Sequence, residues 1–269
     1  MIPKKIHYCW FGQKHIPQEF QKYIESWKKY LPDYEIIKWD ESNFDIHCNR
    51  FVEGAYQAKK YAYVSDFARF SILKKYGGVY FDTDVEIIKP LDDILATGPY
   101  MGEEGIGRVA AGLGMAMEPE MDFLKEVVDF YDQMGFHISD KTKAKSITVV
   151  NIVTNVLVKH GFDVQKDTIQ NVYGINIYPR DYFCPQQYFS GELTITDKTR
   201  TIHHYSETWH SPVYKLLHCF LIKLRKRQVR PEIANFVESV FRCYDRMEIR
   251  GFWGTVKVIT SKVFRIHKQ

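Results

Sequence analysis

Between Tyr61 and Tyr76 the apolar residues fall at Val64, Phe67, Ala68, Ile72 and Leu73, the recurrence expected of one helix face. The segment closes on Gly77-Gly78, a pair that suits a helix C-cap. The apolar run that follows, Val79-Tyr80-Phe81, predicts a strand over 78–82. The same reading predicts a strand at 4–10, a helix at 17–30, a strand at 34–39 and a helix around 50–59. Glu86-Ile87-Ile88-Lys89-Pro90 reads as a short strand, and residues 98–118, rich in Gly and Met, as loop and strand. Helices are expected at 120–134 and 146–160, the second ended by Gly161, with a strand pair around Tyr173 to Tyr178. Helices alternating with strands predict an α/β fold. In open sheets of that kind ligands sit beyond the carboxyl ends of strands, where both Trp10 and Asp82 fall.

Composition narrows the class. At 269 residues, 45% hydrophobic and 26% charged, the chain can bury a full core, which excludes collagen-like and disordered classes. Its five cysteines, Cys9, Cys48, Cys184, Cys219 and Cys243, are odd in number and contain no Cys-x-x-Cys. That argues against a disulfide scaffold and a zinc site, and for a reducing cytoplasm. No charged-then-apolar leader opens the sequence, and no window reaches the roughly 18 apolar residues of a spanning helix. Cytoplasmic residence is therefore expected, rather than secretion or a membrane span.

Asp82-Thr83-Asp84, directly behind the strand at 78–82, carries the chemistry. In an extended strand residues i and i+2 point the same way, so two carboxylates could meet one cation at the strand end. Oxygen ligands select hard metals. Mg2+ or Mn2+ held by one or two carboxylates completes its octahedron with waters and substrate phosphates, which implies a diphosphate substrate. An isolated Asp-x-Asp is more often a solvated turn, so the surroundings matter. Asp66 and Arg69 are three apart on the predicted helix, and share a face either as a surface ion pair or as groups aimed at whatever the metal holds.

Ser65-Asp66-Phe67-Ala68-Arg69 followed by Tyr76-Gly77-Gly78-Val79-Tyr80-Phe81-Asp82-Thr83-Asp84 resembles the sugar-binding DXD region of glycosyltransferase family 32, of capsular polysaccharide type. It is also similar to the glucosyltransferase domain of large clostridial toxins. The resemblance extends to Ile2-Pro3-Lys4-Lys5-Ile6-His7-Tyr8-Cys9-Trp10-Phe11-Gly12, to Ile177 through Pro185, and to His203-His204-Tyr205-Ser206-Glu207-Thr208-Trp209, so it covers residues 1–210. It implies a GT-A fold, a Rossmann-like nucleotide-diphospho-sugar transferase. By the same resemblance Trp10, otherwise readable as a core tryptophan, would stack on the nucleobase. Asp66 and Arg69 would contact the donor sugar and the region between sugar and diphosphate. Tyr80 also matches a donor-binding position; Asp82 would lie close to ribose or sugar hydroxyls and the metal water, with Asp84 as the direct metal ligand. A C-terminal histidine would join the metal, His204 in preference to His203, and Trp209 would sit on a loop closing over the donor.

The activity implied is retaining transfer of a hexose from a nucleotide-diphosphate sugar, UDP-sugar favoured, with Mn2+ or Mg2+. The acceptor would be a saccharide, expected to be lipid-linked, in bacterial surface or capsular polysaccharide synthesis. Two alternatives remain open. A haloacid-dehalogenase-like phosphatase would use the first Asp of such a pair as nucleophile, but its Asp-x-Asp is usually followed by Gly-Thr, where Val85-Glu86 stands here. A non-catalytic nucleotide-sugar-binding module would bind without turnover.

Residues 211–269 form an expected second segment, a basic helical C-terminal extension. They contain 13 Lys and Arg against 4 Asp and Glu, a net +9, where residues 1–210 carry 24 against 29. Interleaved apolar and basic residues from Val213 to Arg227 read either as an amphipathic contact with an anionic membrane surface, on its cytoplasmic side, or as a packed cap. Nucleic acid is not expected, since no recognised binding motif accompanies the charge.

Overall fold

The computed structural model describes residues 1–136, 148–188, 190–206, 212–227, 232–233 and 235–241. In chain order the elements are β1 (Lys5–Cys9), α1 (Gln18–Tyr30), β2 (Glu35–Trp39), α2 (Arg50–Gln57), α3 (Tyr61–Tyr76), β3 (Gly78–Tyr80), β4 (Val85–Ile87), a one-turn α4 (Asp92–Leu95), β5 (Tyr100–Gly105), β6 (Arg108–Ala110), β7 (Met115–Met117), α5 (Asp122–Asp132), α6 (Val149–Lys159), β8 (Gln170–Val172), β9 (Ile175–Tyr178), β10 (Thr201–His203) and α7 (Pro212–Lys226). Two compact units emerge. One comprises Met1–Phe136, Thr148–Gln186 and Leu193–Ser206; the other holds Gln187–Glu192 and the part of the chain after Ser206.

The α/β expectation holds for the first unit. Its main sheet runs β2-β1-β3-β7-β5-β9-β8 with β6 on β5, and β10 pairs with β4 in a separate two-stranded sheet. β1 is parallel to both β2 and β3, and β5 is parallel to β9, while β7 runs antiparallel between β3 and β5. Every residue of β1 after Lys5 is buried, as expected of a strand covered on both faces. Ile6 and Tyr8 join the core of Ile24 and Trp27 from α1, whereas His7 hydrogen-bonds Trp39 of β2 and the Gly77 carbonyl behind α3.

Two glycines turn α3 into β3. Gly77 caps the helix by donating to the Leu73 carbonyl at 2.8 Å, and both it and Gly78 have positive φ, 59° and 102°. A Cβ on Gly78 would stand 2.7 Å from the Lys5 carbonyl oxygen, so the turn admits nothing larger. Starting from β1, the chain adds β2 on one side and β3 on the other, which makes the β1/β3 boundary a topological switch point. Crevices beyond the carboxyl ends of strands at such a point are where α/β sheets bind ligands.

The strand expected at 78–82 stops at Tyr80, and the Asp pair lies in the turn to β4, closed by a hydrogen bond from Val85 N–H to the Asp82 carbonyl at 3.1 Å. In the second unit, Tyr214 and Leu221 of α7 pack with Phe241 of a helical stretch at 235–241. No described helix is long and apolar enough to cross a membrane.

Candidate metal and sugar-nucleotide site

The β3–β4 turn and the end of β10 bring three ligating groups together. A carboxylate oxygen from each of Asp82 and Asp84 and a ring nitrogen of His203 lie within 4.8 Å of one another. The antiparallel pairing of β10 with β4 sets His203 opposite Val85, which delivers the imidazole to a turn 119 residues earlier. His203 Nε2 approaches Asp84 at 3.3 Å. The other Asp84 oxygen accepts from the Ser206 N–H at 2.9 Å and from its hydroxyl at 2.8 Å, and the Asp84 carbonyl accepts from the His204 N–H. Ser206 thereby orients the carboxylate.

Asp82 is fixed from three sides. Tyr80 donates its hydroxyl at 3.0 Å. Arg69 reaches both carboxylate oxygens, at 3.2 and 3.4 Å, and also pairs with Asp66 at 3.0 Å. Gly112 accepts the Asp82 N–H at 3.2 Å, and a Cβ there would stand 2.0 Å from an Asp82 oxygen. Arg69 is itself buried, its Nε–H donating to the Ser65 carbonyl and its guanidinium 4.9 Å from the Tyr80 ring centre. The i,i+3 pair on α3 is therefore an interior charge network and not a surface ion pair.

These contacts set the protonation states. Burial works to raise Asp84, but the His203 charge and the Ser206 donors outweigh it and hold this carboxyl well below the usual range. Burial alone would lower His203; Asp84, with Asp82 and Glu104 behind it, raises it instead. Asp66 is pushed up to about 6 by burial against the pull of Arg69. Asp82 is raised by burial, opposed by Arg69 and reinforced by Asp84.

The histidine expectation is corrected. Neighbours along a strand face opposite ways, and it is His203 that faces the aspartates. His204 turns outward, its Nε2 2.8 Å from Glu86 and its ring stacked 4.4 Å from Tyr23. Trp10 follows β1 at the switch point, its indole N–H bound to the Lys14 carbonyl at 2.7 Å and its ring 5.5 Å from Phe20. It lines an open depression with Lys14, Lys38, Asp40 and Glu41, and Glu41 holds the loop by accepting from Gly12 N–H and Tyr56. Trp209 and its neighbours Glu207 and Thr208 lie outside the described residues. Neither Gly112 nor Ser206 is singled out by motif spacing; the Gly-rich run before β7 and the Tyr205-Ser206 step after the histidines are the only traces they leave.

Two carboxylates and one imidazole suit Mn2+ well, since carboxylates favour Mg2+, Ca2+ and Mn2+ and imidazole favours transition metals. His203 turns Nε2 toward Asp84, so that nitrogen is the one a cation would take. The residues fit such an ion.

Residues 17–100 match the family model described as glycosyltransferase sugar-binding region containing DXD motif. An uncharacterised glycosyltransferase of Acanthamoeba polyphaga mimivirus is 36% identical over 104 residues, 36% of this chain and 41% of that protein. Inositol phosphoceramide mannosyltransferase 3 of Schizosaccharomyces pombe is 36% identical over 98 residues, 35% of this chain and 27% of that protein. The chain thus spans less than half the length of these curated relatives. Among solved structures, PaToxG glycosyltransferase shares 18% identity over 59% of this chain and 68% of its own, with a TM-score of 0.44.

Proposed function

We propose that the chain is a metal-dependent, retaining hexosyltransferase of GT-A type that takes its sugar from a nucleotide diphosphate donor. The single observation that carries the reading is the Asp82–Asp84–His203 cluster, with buried Arg69 alongside it; both aspartates and Arg69 lie inside the segment that matches a DXD sugar-binding region. When bound there, Mn2+ or Mg2+ would supply Lewis-acid charge for the leaving diphosphate. Asp84 and His203 would hold it directly, with Asp82 as third ligand. Arg69 adds positive charge that needs no reorganisation because Ser65, Asp66 and Asp82 already fix it.

Asp66 and Asp82, the carboxylates paired with Arg69, are assigned to the donor's hydroxyls. Trp10 is assigned to base stacking, worth about 1–3 kcal/mol. No nucleophile is assigned; front-face attack assisted by the leaving phosphate accounts for retention. UDP-hexoses are the favoured donors, and mannosyl donors stand beside them because relatives are named mannosyltransferases. The acceptor is assigned to a saccharide, lipid-linked and of surface or capsular type, at the cytoplasmic face of the membrane.

Screening UDP- and GDP-sugars with Mn2+ for slow hydrolysis tests the reading. Wild type should turn over one donor, Asp84→Ala should lose metal-dependent donor binding, and Trp10→Ala should weaken the nucleotide while keeping the metal requirement. Full turnover by Asp84→Ala would sink the assignment.

A further inference from the structure

In the second unit, α7 carries two faces. Tyr214, His218 and Leu221 are buried. On the far side Val213, Leu216 and Phe220 are 49%, 71% and 50% exposed, and the same i, i+3, i+7 row continues into exposed Lys223 and Arg227. The stretch at 235–241 repeats the pattern. Phe241 packs inward while Phe236 and Val240 are 69% and 44% exposed, and Ile233, just before the stretch, is 47% exposed.

The two helical segments run antiparallel. Phe241 meets Tyr214 near the start of α7 at 4.7 Å, and Asn235 and Glu238 meet Arg225 near its end at 3.0 and 2.7 Å. At about 100° per residue the exposed row lies about 150° from the packed face on α7 and about 100° on its partner, rotated in the same sense. Because the helices point in opposite directions, those rotations bring both rows to one side of the hairpin.

We infer that this hairpin docks flat on an anionic bilayer surface. Six large apolar side chains on one side form the kind of exposed patch that marks an interaction site. Their setting in a segment with 13 Lys and Arg against 4 Asp and Glu selects a negatively charged partner. A basic amphipathic face of this kind lies in the headgroup boundary with its apolar row inserted and its cations on acidic lipid. Nucleic acid would engage the charge alone and leave Leu216 and Phe236 without a role. The docking stands apart from the transfer chemistry, and its readout needs no sugar donor.

The test is co-sedimentation of the full chain with vesicles of phosphatidylcholine alone and with about 30% phosphatidylglycerol. Phosphatidylglycerol should raise the bound fraction at least about tenfold, high salt should reverse most of that gain, and Leu216→Glu with Phe236→Glu should abolish it. Both side chains are exposed, so the paired variant should keep the wild-type melting temperature; should it melt early, Leu216→Ser with Phe236→Ser takes its place. Equal binding to the two vesicle types overturns the inference, as does a variant that binds like wild type. A dimer seen by light scattering that the same substitutions split would assign the patch to a second copy of the chain instead.

Discussion

Gly112 and Asp82 share one small volume. Because a methyl at position 112 would overlap the Asp82 carboxylate and approach Arg69 within 3.3 Å, Gly112→Ala must swing the carboxylate away from its position beside His203. His203 and His204 separate the same way, one 3.3 Å from Asp84 and the other 2.8 Å from Glu86. A Mn2+ titration followed by the loss of free-ion signal sorts the three positions. His203→Ala and Gly112→Ala should each weaken Mn2+ at least about tenfold, the usual cost of removing or misplacing a ligand, whereas His204→Ala should change it little. The opposite order for the two histidines would return His204 to the metal.

At the level of elements, His7 shows what a strand buried on both faces demands. It is fully buried, donates Nε2–H to the Gly77 carbonyl and accepts the Trp39 indole N–H on Nδ1, an arrangement that needs the neutral ring. Burial depresses its pKa to about 4, against the Gly77 bond that pulls it up. A histidine with a depressed folded-state pKa contributes stability that is complete above about pH 6.5 and lost as pH falls toward 4, on the order of 3 kcal/mol in all. Urea unfolding at pH 7, 5 and 4 should show that decline in wild type, and a flatter one in His7→Gln, which keeps a donor and an acceptor but cannot charge. Parallel pH profiles for the two would remove His7 as the cause.

Elements like this one were legible from spacing because their apolar rows are long. α3 lies at the residues its periodicity predicts, and β1, α1 and β2 within a residue or two at each end. β5, β6 and β7 blur into the Gly- and Met-rich stretch because strands of three to six residues between glycines give periodicity too little length, although β5 and β7 sit inside the sheet. β10 left no strand signal at all. Three residues paired to β4 across the chain are a tertiary event, and with them went the choice between His203 and His204, which only the pairing register decides.

For the whole molecule, charge sets how the proposed nucleotide-sugar donor would bind. Residues 1–210, which carry the site, hold 24 Lys and Arg against 29 Asp and Glu and are acidic overall, and within the site Asp66, Asp82 and Asp84 face one arginine and one histidine. An anionic diphosphate meets repulsion there, and Arg69 is already committed to two carboxylates. A divalent cation reverses the sign, so nucleotide sugar and Mn2+ should bind synergistically, each weakly without the other. A ligand at a hundred times its Kd adds about 2.7 kcal/mol to folded-state stability, which for a unit of this size amounts to a rise in Tm of roughly 5–10 °C. Thermal melts with Mn2+, with the donor and with both should show that rise for the combination in wild type and not in Asp84→Ala, while the donor alone moves neither. Stabilisation of wild type by the nucleotide sugar in the presence of excess chelator would mean that protein charges alone hold the diphosphate.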